Sequence, residues 1–327
     1  MEAGLIGYRN HSARILNLLL GYPEIDHIYV YHPDGHKLLK SGVQSLSSRV
    51  EPTSDRSKLS GLDAVFITSP SRTHVEYIRS LIDEVAYLYC EKPPAATREE
   101  LAYLSSLAER QRHGVYFSFN YRFSELAIIA KDFIESGQIG SPVHCNFVST
   151  HGLAYRESFR GDWRSNREDQ LSGIFGNVSI HYIDLCMWLL GGSTCVTVQK
   201  AAWSENSKTA DSVHTVMRFR HDCTASIFVS YAAPFINQAQ LIFTDGFLEL
   251  DNGTLTLYSP RDSYDADGTF TRPASKELLS AKSSRRYYDY SLEKSLKYFI
   301  SVVAEKSSFS AKEFDQSLRS NAVIFDY

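Results

Sequence analysis

Short apolar segments alternate with helical patterns through the first third of this chain, and this alternation limits the folds that it can adopt. The strand-like segments are Ala3–Ile6, His27–Tyr31, Ala64–Thr68, Val85–Cys90 and Val115–Phe119. Strands separated by helices favour a parallel sheet with right-handed crossovers. A capping box supports one of the helices, because Thr97 can cap it and Glu100 follows three residues later. We therefore predict a doubly wound α/β domain over residues 1–120.

The pattern changes after Asn120, where a helix predicted over Glu125–Ser136 and ended by Gly137 is followed mostly by strands. These strands are predicted at Val143–Thr150, Cys195–Trp203, Ser212–Arg220, Thr224–Tyr231, Ala239–Phe243, Phe247–Leu250 and Thr254–Tyr258. Short turns between them suit hairpins, so we predict a second, α+β domain over residues 121–327 with a mainly antiparallel sheet. The polar stretch Ser259–Arg286 is predicted to form loops. Helices should cover one sheet face, and the other is a natural surface for a homodimer or homotetramer.

Composition argues against several other classes of protein. The 327 residues carry a formal net charge of −4 without a basic block, which argues against a nucleic-acid partner. No apolar run approaches the roughly 18 residues of a membrane span, and no signal-peptide pattern precedes the first strand, so we expect a soluble cytoplasmic protein. The cysteines lack metal or redox spacing, so we expect reduced thiols and no metal site. They are Cys90, Cys145, Cys186, Cys195 and Cys223.

The first strand leads into a turn where a dinucleotide-binding Rossmann fold carries its glycine-rich motif. Gly7 can be the first glycine of Gly-x-Gly-x-x-Gly, whereas Arg9 and Ser12 occupy the other two positions. Tyr8, Arg9 and Asn10 are then candidate cofactor contacts together with Gly7. The alternative is an ordinary strand–turn–helix that uses Gly7 only for its turn, and the motif alone does not decide between them.

Polar residues also follow two further strands of the predicted parallel sheet. Thr68-Ser69-Pro70 follows the third strand and leads to His74, and Glu91-Lys92 closes the fourth. Ligands bind at the carboxyl ends of strands in open α/β sheets, so these residues are candidates to line a binding cleft. The alternative is a pair of solvated loops.

Together, these motifs resemble those of the glucose–fructose oxidoreductase/inositol dehydrogenase family. The resemblance rests on Glu91-Lys92-Pro93 about 85 residues after Gly7, on Thr68-Ser69-Pro70 with His74, on Asn120-Tyr121-Arg122-Phe123, and on Gly173 through His181 to Asp184. It implies a Rossmann-type domain that binds NAD or NADP and a second domain that binds the substrate. The implied activity is hydride transfer between the nicotinamide cofactor and a hydroxyl group of a sugar or polyol.

The resemblance also implies roles for individual residues. The family's signature lysine, here Lys92, meets the nicotinamide ring and the substrate hydroxyl, and the family's Asp-x-x-x-His pair corresponds to Asn177 and His181 on a predicted helix. Four residues apart on a helix, these two side chains point the same way. Histidine titrates near neutrality and can accept the hydroxyl proton, while Lys92 can stabilise the developing alkoxide. Asp184 is a further candidate substrate residue, which can orient His181 or serve a structural role.

Within the family, an Asn at the position of Asn177 resembles the pattern of the enzymes that oxidise nucleotide-linked sugars. The resemblance makes Tyr121 and Arg122 further candidate substrate residues. The loop before the predicted helix concentrates cations and aromatic side chains, which suits a phosphate-bearing or uronate substrate. They are Tyr155, Arg156, Arg160, Trp163, Arg164 and Arg167. The alternative is a solvated loop in which neighbouring acids balance these cations.

The choice between NAD and NADP stays open. An acid usually ends the second strand of an NAD-binding fold, whereas this strand is followed by His32, and then by Asp34, His36 and Lys37. His32 could tolerate a 2′-phosphate, while Asp34 could reach a ribose. Because Arg9 stands in the glycine turn, an alternative function also stays open, that of a non-catalytic sugar-sensing regulator with the same fold. A lyase or hydrolase that uses the cofactor internally would need a further acid/base pair.

Overall fold

The computed structural model describes residues 1–165, 171, 173–280 and 284–327. The chain divides into two compact units. The first unit comprises Met1–Phe119 and Glu293–Ala322, and the second comprises Asn120–Leu292 and Val323–Tyr327. The C-terminal stretch Glu293–Ala322, predicted from the sequence to lie in the second domain, is therefore part of the first unit.

Six parallel strands form the sheet of the first unit in the order β3-β2-β1-β4-β5-β6. They are β1 (Glu2–Ile6), β2 (His27–Tyr31), β3 (Val50–Thr53), β4 (Ala64–Ile67), β5 (Tyr87–Glu91) and β6 (Val115–Ser118). The predicted parallel α/β sheet is confirmed. The sequence missed β3 because Pro52 argues against a strand, but β3 lies at the sheet edge, where a missing N–H is tolerated.

Helices connect these strands. They are α1 (His11–Leu19), α2 (Gly35–Lys40), α3 (His74–Leu81), α4 (Arg98–Ser105) and α5 (Glu109–Arg112). The predicted capping box of α4 is confirmed, because Thr97 Oγ1 accepts the Glu100 N–H at 3.1 Å and Glu100 Oε2 accepts the Thr97 N–H at 3.2 Å. These side chains satisfy backbone donors that the helix itself leaves unpaired.

The chain ends in two long helices, α8 (Ser284–Ala304) and α9 (Ala311–Asp326). Phe299 of α8 is fully buried, with its ring centroid 5.1 Å from that of Phe66 and 5.4 Å from that of Tyr89. Asn321 of α9 accepts the Ala95 N–H through its side-chain oxygen at 2.7 Å. Burial of large aromatic side chains against the strands explains why this stretch belongs to the first unit.

An eight-stranded sheet forms the second unit, in the order β14-β13-β12-β11-β7-β10-β9-β8. Its strands are β7 (Pro142–Thr150), β8 (Cys195–Ala201), β9 (Ser212–Arg218), β10 (Thr224–Ser230), β11 (Ile236–Phe243), β12 (Gly246–Asp251), β13 (Thr254–Tyr258) and β14 (Ser275–Ser280). All neighbours are antiparallel except β7 and β10, so the predicted mainly antiparallel sheet is confirmed. The predicted loop region contains β14, which the sequence missed because its polar residues lack alternation.

The helices of the second unit include α6 (Glu125–Ser136) and α7 (Ile180–Leu190). Ser124 caps α6, and Gly137, at a φ of 68°, ends it as predicted. Alternate side chains of β10 are buried on the face toward α7, whereas Phe228 on the opposite face is 37% exposed. In the part of the chain that the structure describes, no helix is long and apolar enough to cross a membrane.

Candidate functional site

The turn after β1 is closed by hydrogen bonds to β2 and β4. The Gly7 N–H donates to the Tyr31 carbonyl at 3.1 Å, and Gly7 has a φ of 114°, which favours glycine. A Cβ at Gly7 would lie 2.8 Å from Ser12 Oγ and 3.2 Å from Thr68 Oγ1. Ser12 Oγ in turn donates to the Thr68 carbonyl at 3.1 Å. Ser12, at the third glycine position of the motif, therefore joins the turn to β4 through its hydroxyl.

Tyr8 and Arg9 lie on the β2 side of this turn. The ring of Tyr8 contacts the ring of His32 edge-on, with centroids 4.9 Å apart and planes at 83°. The exposed Arg9 guanidinium lies 5.6 Å from the Tyr8 ring centroid, and its Nε donates to the Tyr8 hydroxyl at 3.4 Å. Asn10, with a φ of 37°, precedes α1 and makes no side-chain capping bond. Arg9 thus lies beside the end of β2.

Asp34 is engaged in capping α2. Its Oδ1 accepts the Lys37 N–H at 3.1 Å, and its Oδ2 lies 3.2 Å from the Lys37 ammonium. The hydrogen bond from the Lys37 backbone, followed by the one from its side chain, lowers the pKa of Asp34. His32 Nδ1 lies 3.0 Å from the Asp34 backbone nitrogen and 3.1 Å from the Asp34 carbonyl oxygen. The carboxylate that could have reached a ribose is therefore held by its own helix.

His74, predicted to contact the cofactor, is buried and connects two loops. It is 1% exposed, and its Nδ1 and Nε2 each lie 2.9 Å from a carbonyl oxygen, those of Pro93 and Ser69 respectively. Burial lowers the pKa of His74, with the two carbonyl contacts opposing. His74 thus holds the Ser69 loop against the turn that follows Lys92, which favours a structural role.

Glu91 ends β5 as a buried carboxylate. Its Oε1 accepts from His11 Nε2 at 2.9 Å and from the Tyr89 hydroxyl at 3.2 Å. Burial alone would raise the pKa of Glu91, but the charge and hydrogen bond of His11, with Lys92 and His74, hold it below its ordinary value. His11, the first residue of α1, therefore brings the strand end that carries Lys92 against the glycine turn.

The residues of the first unit fit a dinucleotide. The ends of β1, β2, β4 and β5 lie at one edge of the sheet, and the winding reverses between β1 and β4, where such folds bind dinucleotides. At that edge the backbone approaches closely at Gly7, Arg9 supplies guanidinium donors for anionic groups, and the His32 ring contacts Tyr8. The predicted contacts that would hold the cofactor are Gly7, Tyr8, Arg9, Asn10, His32, Thr68, Ser69, Pro70, Glu91 and Lys92.

In the second unit, Asn177 and His181 lie in two different kinds of helix. Asn177 lies in a π-helical turn, Phe175–Ser179, and His181 is the second residue of α7. The sequence predicted one α-helix here. Such π-turns are frequent at functional sites. The His181 ring, 6% exposed, stacks on Tyr121 with centroids 4.4 Å apart and planes at 22°.

Two residues that no sequence motif indicated, Tyr231 and His151, join this group. The Asn177 side-chain amide donates to the Tyr231 hydroxyl at 2.7 Å, and the His151 ring centroid lies 5.0 Å from that of Tyr231. Burial raises the pKa of Tyr231, and burial followed by the charge of Arg164 lowers that of His151. Tyr231 was treated only as the end of a strand, because nothing in its local sequence marks a contact 54 residues away.

A cavity of about 130 Å³ adjoins these residues within the second unit. Tyr121, His151, Tyr182 and Phe235 contribute rings to its lining, and Asn237 contributes an amide. Aromatic faces combined with a few polar groups are typical of small-molecule sites. Tyr121 therefore links the stacked His181 to this cavity.

Arg122 and Asp184, both predicted to contact the substrate, are buried in an ion pair with each other. Arg122 Nε donates to Asp184 Oδ2 at 2.8 Å, and Nη2 donates to Oδ1 at 2.6 Å. The two side chains are only 6% and 1% exposed. This bidentate contact favours the structural role for Asp184, because its carboxylate is bound to the guanidinium.

The cationic loop before the π-turn is partly neutralised. Arg164 donates to Asp162 at 3.1 Å, and its guanidinium lies 4.5 Å from the ring centroid of Trp163, which is 49% exposed. Arg160, which is exposed, donates to the Asn206 side chain at 3.2 Å. Arg167 lies outside the described residues. Among those described, no group of His, Cys, Asp or Glu residues is arranged to hold a metal ion.

The doubly wound sheet with its glycine turn, followed by an α+β unit, places the chain in the class of two-domain proteins with an NAD-binding Rossmann fold. Residues 1–119 match the sequence model of the oxidoreductase family with an NAD-binding Rossmann fold, and residues 128–249 match the GFO/IDH/MocA C-terminal domain. The chain belongs to the GFO/IDH/MocA family, as its motifs predicted.

Curated relatives of the chain include dehydrogenases of sugars and inositols. Levoglucosan dehydrogenase of Pseudarthrobacter phenanthrenivorans is 27% identical over 148 residues, which are 43% of this chain and 36% of that protein. Glucose-6-phosphate 3-dehydrogenase of Bacillus subtilis is 26% identical over 152 residues, or 46% of this chain and 43% of that protein. The matched stretch therefore spans less than half of either relative.

Solved structures share the fold along nearly the whole chain. Levoglucosan dehydrogenase in complex with NADH and levoglucosan has a TM-score of 0.79 at 19% identity, covering 100% of this chain and 96% of that one. Myo-inositol dehydrogenase from Corynebacterium glutamicum has a TM-score of 0.76 at 16% identity, with the same coverage. At these identities the likeness concerns the fold alone.

Proposed function

We propose that the protein is an NAD(P)-dependent dehydrogenase or reductase that interconverts a hydroxyl and a carbonyl group on a sugar or sugar-like polyol. The observation that carries this proposal is the contact between His11 and Glu91, which brings Lys92 to the glycine turn. A lysine at this place can act on a substrate bound beside the nicotinamide. The sugar and inositol dehydrogenases among the curated relatives support the substrate class.

When bound, the nicotinamide cofactor would supply the hydride acceptor or donor. In the oxidative direction, the carbinol hydride would go to that acceptor as the hydroxyl proton passes to the neutral imidazole of His181, which leaves a carbonyl group on the substrate. Lys92 donates a hydrogen bond to the oxygen and stabilises its developing negative charge. Tyr121 orients His181 by stacking on its ring, and Asn177, held by Tyr231, anchors a neighbouring hydroxyl of the substrate.

Two measurements on the purified protein test this function. Fluorescence titration with NADH and NADPH should give saturable binding, and absorbance at about 340 nm should follow reduction of the oxidised cofactor in the presence of a substrate panel. The panel comprises levoglucosan, glucose 6-phosphate, an inositol and a UDP-linked N-acetylated sugar. Absence of binding to either nicotinamide cofactor would reject the proposal.

The substrate could be a nucleotide-linked sugar, as the Asn177–His181 pattern implies. Trp163 and Arg164 support this finer proposal, since an exposed indole beside a guanidinium suits a base or a phosphate. Asp162 opposes it by neutralising Arg164. Turnover of the UDP-linked sugar, with a KM that rises in Arg164→Ala while kcat is kept, would support it. A preference for uncharged sugars that this substitution leaves unchanged would contradict it.

A non-catalytic sensor is the competing proposal, because Arg9 replaces a motif glycine. The exposed Arg9 guanidinium contacts Tyr8, and the three atoms nearest to a Cβ at Gly7 belong to Ser12 and Thr68 rather than to Arg9. This arrangement favours the enzyme. The sensor would be favoured if the wild type binds the cofactor but turns over no polyol. In that case Lys92→Ala should bind the cofactor as the wild type does.

We also propose that the exposed face of the second unit's sheet mediates self-association into a homodimer or homotetramer. Val216, Phe228 and Ile242 lie on this face and are 41%, 37% and 36% exposed. Exposed apolar side chains on one broad sheet are typical of such interfaces. Sedimentation of the wild type and of Phe228→Glu tests this, with a shift toward the monomer expected in the variant.

The free thiols of all five cysteines support the proposal of a reducing, cytoplasmic location.

A further inference from the structure

The end of β2 decides which nicotinamide cofactor a fold of this kind accepts. An acid there binds the ribose hydroxyls of NAD, whereas a nearby arginine accommodates the 2′-phosphate of NADP. In this chain β2 ends at Tyr31 and His32 follows. The first carboxylate after β2, Asp34, caps α2 through Lys37 and lies 3.2 Å from the Lys37 ammonium.

Arg9 follows β1, the strand that pairs with β2, and lies at the same edge of the sheet. β1 and β2 pair in parallel, with Ile6 opposite Tyr31, so the residues after each strand meet. The Tyr8 ring contacts both the Arg9 guanidinium and the His32 ring, with centroid distances of 5.6 Å and 4.9 Å. Tyr8 is half-buried and Arg9 exposed, so the guanidinium is held at the surface by an anchored ring.

The charges at this edge favour an added anion. The segments 7–12 and 32–37 contain two permanent cations, Arg9 and Lys37, and one carboxylate, Asp34, which Lys37 already binds. His32 adds an imidazole at this edge: its Nδ1 is occupied by the Asp34 backbone, at 3.0 Å from the nitrogen and 3.1 Å from the carbonyl oxygen, and its Nε2 donates to an anion when it carries the proton. A guanidinium has five N–H donors, which bind the charged oxygens of a phosphate better than they bind two neutral ribose hydroxyls.

From this geometry we propose that the protein prefers NADP(H) to NAD(H), with Arg9 and His32 binding the 2′-phosphate. The proposal rests on the proposed function, since it assumes that a nicotinamide dinucleotide binds. It assigns Arg9, which occupies a glycine position of the motif, to cofactor selection.

The test is fluorescence titration of the full chain with NADPH and with NADH, which needs no substrate. The wild type should bind NADPH at least about tenfold more tightly, because hydrogen bonds to a charged group contribute about 1.5–3 kcal/mol. Arg9→Ala should weaken NADPH binding about ten- to a hundredfold and leave NADH binding within about threefold. Arg110→Ala, which removes an exposed arginine on α5, is the matched control and should change neither affinity.

A second variant keeps the test independent of Arg9. His32→Asp restores an acid after β2 and should move the preference toward NADH, because the carboxylate repels a 2′-phosphate and accepts hydrogen bonds from ribose. Thermal unfolding of each variant confirms that it is folded.

The outcomes separate this inference from the proposed function. Tighter binding of NADH by the wild type overturns the inference and leaves cofactor binding intact. Equal weakening of both cofactors in Arg9→Ala also overturns it, because Arg9 would then contact a group that both share. If neither cofactor binds, the proposed function itself fails and the inference fails with it.

Discussion

His11 Nε2 lies 2.9 Å from Glu91 Oε1, although the two residues are 80 positions apart in the chain. The contact joins the first residue of α1 to the last residue of β5. Tyr89 extends it into the interior, since its hydroxyl donates to Glu91 and lies 2.5 Å from Ser118 Oγ. A charged carboxylate at the sheet edge is thus stabilised by an imidazole on one side and by a buried hydroxyl pair on the other.

Glu91→Gln should destabilise the protein at neutral pH by about 1–3 kcal/mol, because the amide cannot replace a charge-assisted bond to His11. Urea unfolding measures the change. Glu76→Gln, which removes an exposed carboxylate on α3, is the control and should have little effect. Unchanged stability in Glu91→Gln would mean that the pair contributes no net stabilisation.

The same carboxylate should make stability depend on pH. The pKa of Glu91 is lower in the folded protein than its ordinary value of 4.5, so Glu91 stabilises the fold above that value. This contribution is lost as the pH falls through the folded-state pKa. The wild type should therefore lose more stability than Glu91→Gln when unfolding is measured from pH 6 downward, at about half-unit steps. Parallel pH profiles for the two proteins would contradict the assignment.

Lys92→Ala should lower turnover at least about a hundredfold while cofactor affinity changes much less, because the lost interaction forms chiefly in the transition state. Steady-state rates on the substrate found by the panel, with NADPH and NADH titrations alongside, measure both effects. Lys276→Ala on β14 is the control and should retain the wild-type rate. Near-normal turnover in Lys92→Ala would remove Lys92 from the catalytic role.

His181→Asn should abolish most of the turnover and remove the rise of the oxidative rate with pH, since only neutral imidazole accepts the proton. The variant should still fold and bind cofactor, because His181 lies in the second unit and the cofactor contacts are predicted in the first. Titrating neighbours share macroscopic pKa values, so the comparison of the two pH profiles is the informative result. A variant with its rate and profile intact would show that the base lies elsewhere.

Asp184→Asn should destabilise the fold by about 3–5 kcal/mol, because it leaves the buried Arg122 charge uncompensated. Replacing both partners, as Arg122→Met with Asp184→Leu, should recover most of this loss. Urea unfolding gives the stabilities, and the rate on the substrate gives the function. Recovery of both stability and activity in the double variant supports the structural role. Recovered stability without activity would indicate that Asp184 and Arg122 contact the substrate.

The regular parts of the fold were predictable from local patterns. Alternation of apolar segments predicted β1, β2, β4, β5 and β6, and the Thr97 box predicted the start of α4. The prediction failed for β3 and β14, because Pro52 in one and the polar residues of the other hide the pattern. Both strands depend on pairing with a neighbour.

The sequence by itself determined which candidate site residues follow the strands and in what order. Glu91-Lys92-Pro93, the Gly7 turn and the spacing of Asn177 and His181 are local features, and they sufficed for the family. Only the tertiary structure decided what those residues contact. His11 meets Glu91, Arg122 meets Asp184 62 residues away, and Asp34 is held by its own helix. Such contacts depend on how strands and helices pack, since burial makes a charged or polar group take whichever partner the fold brings to it.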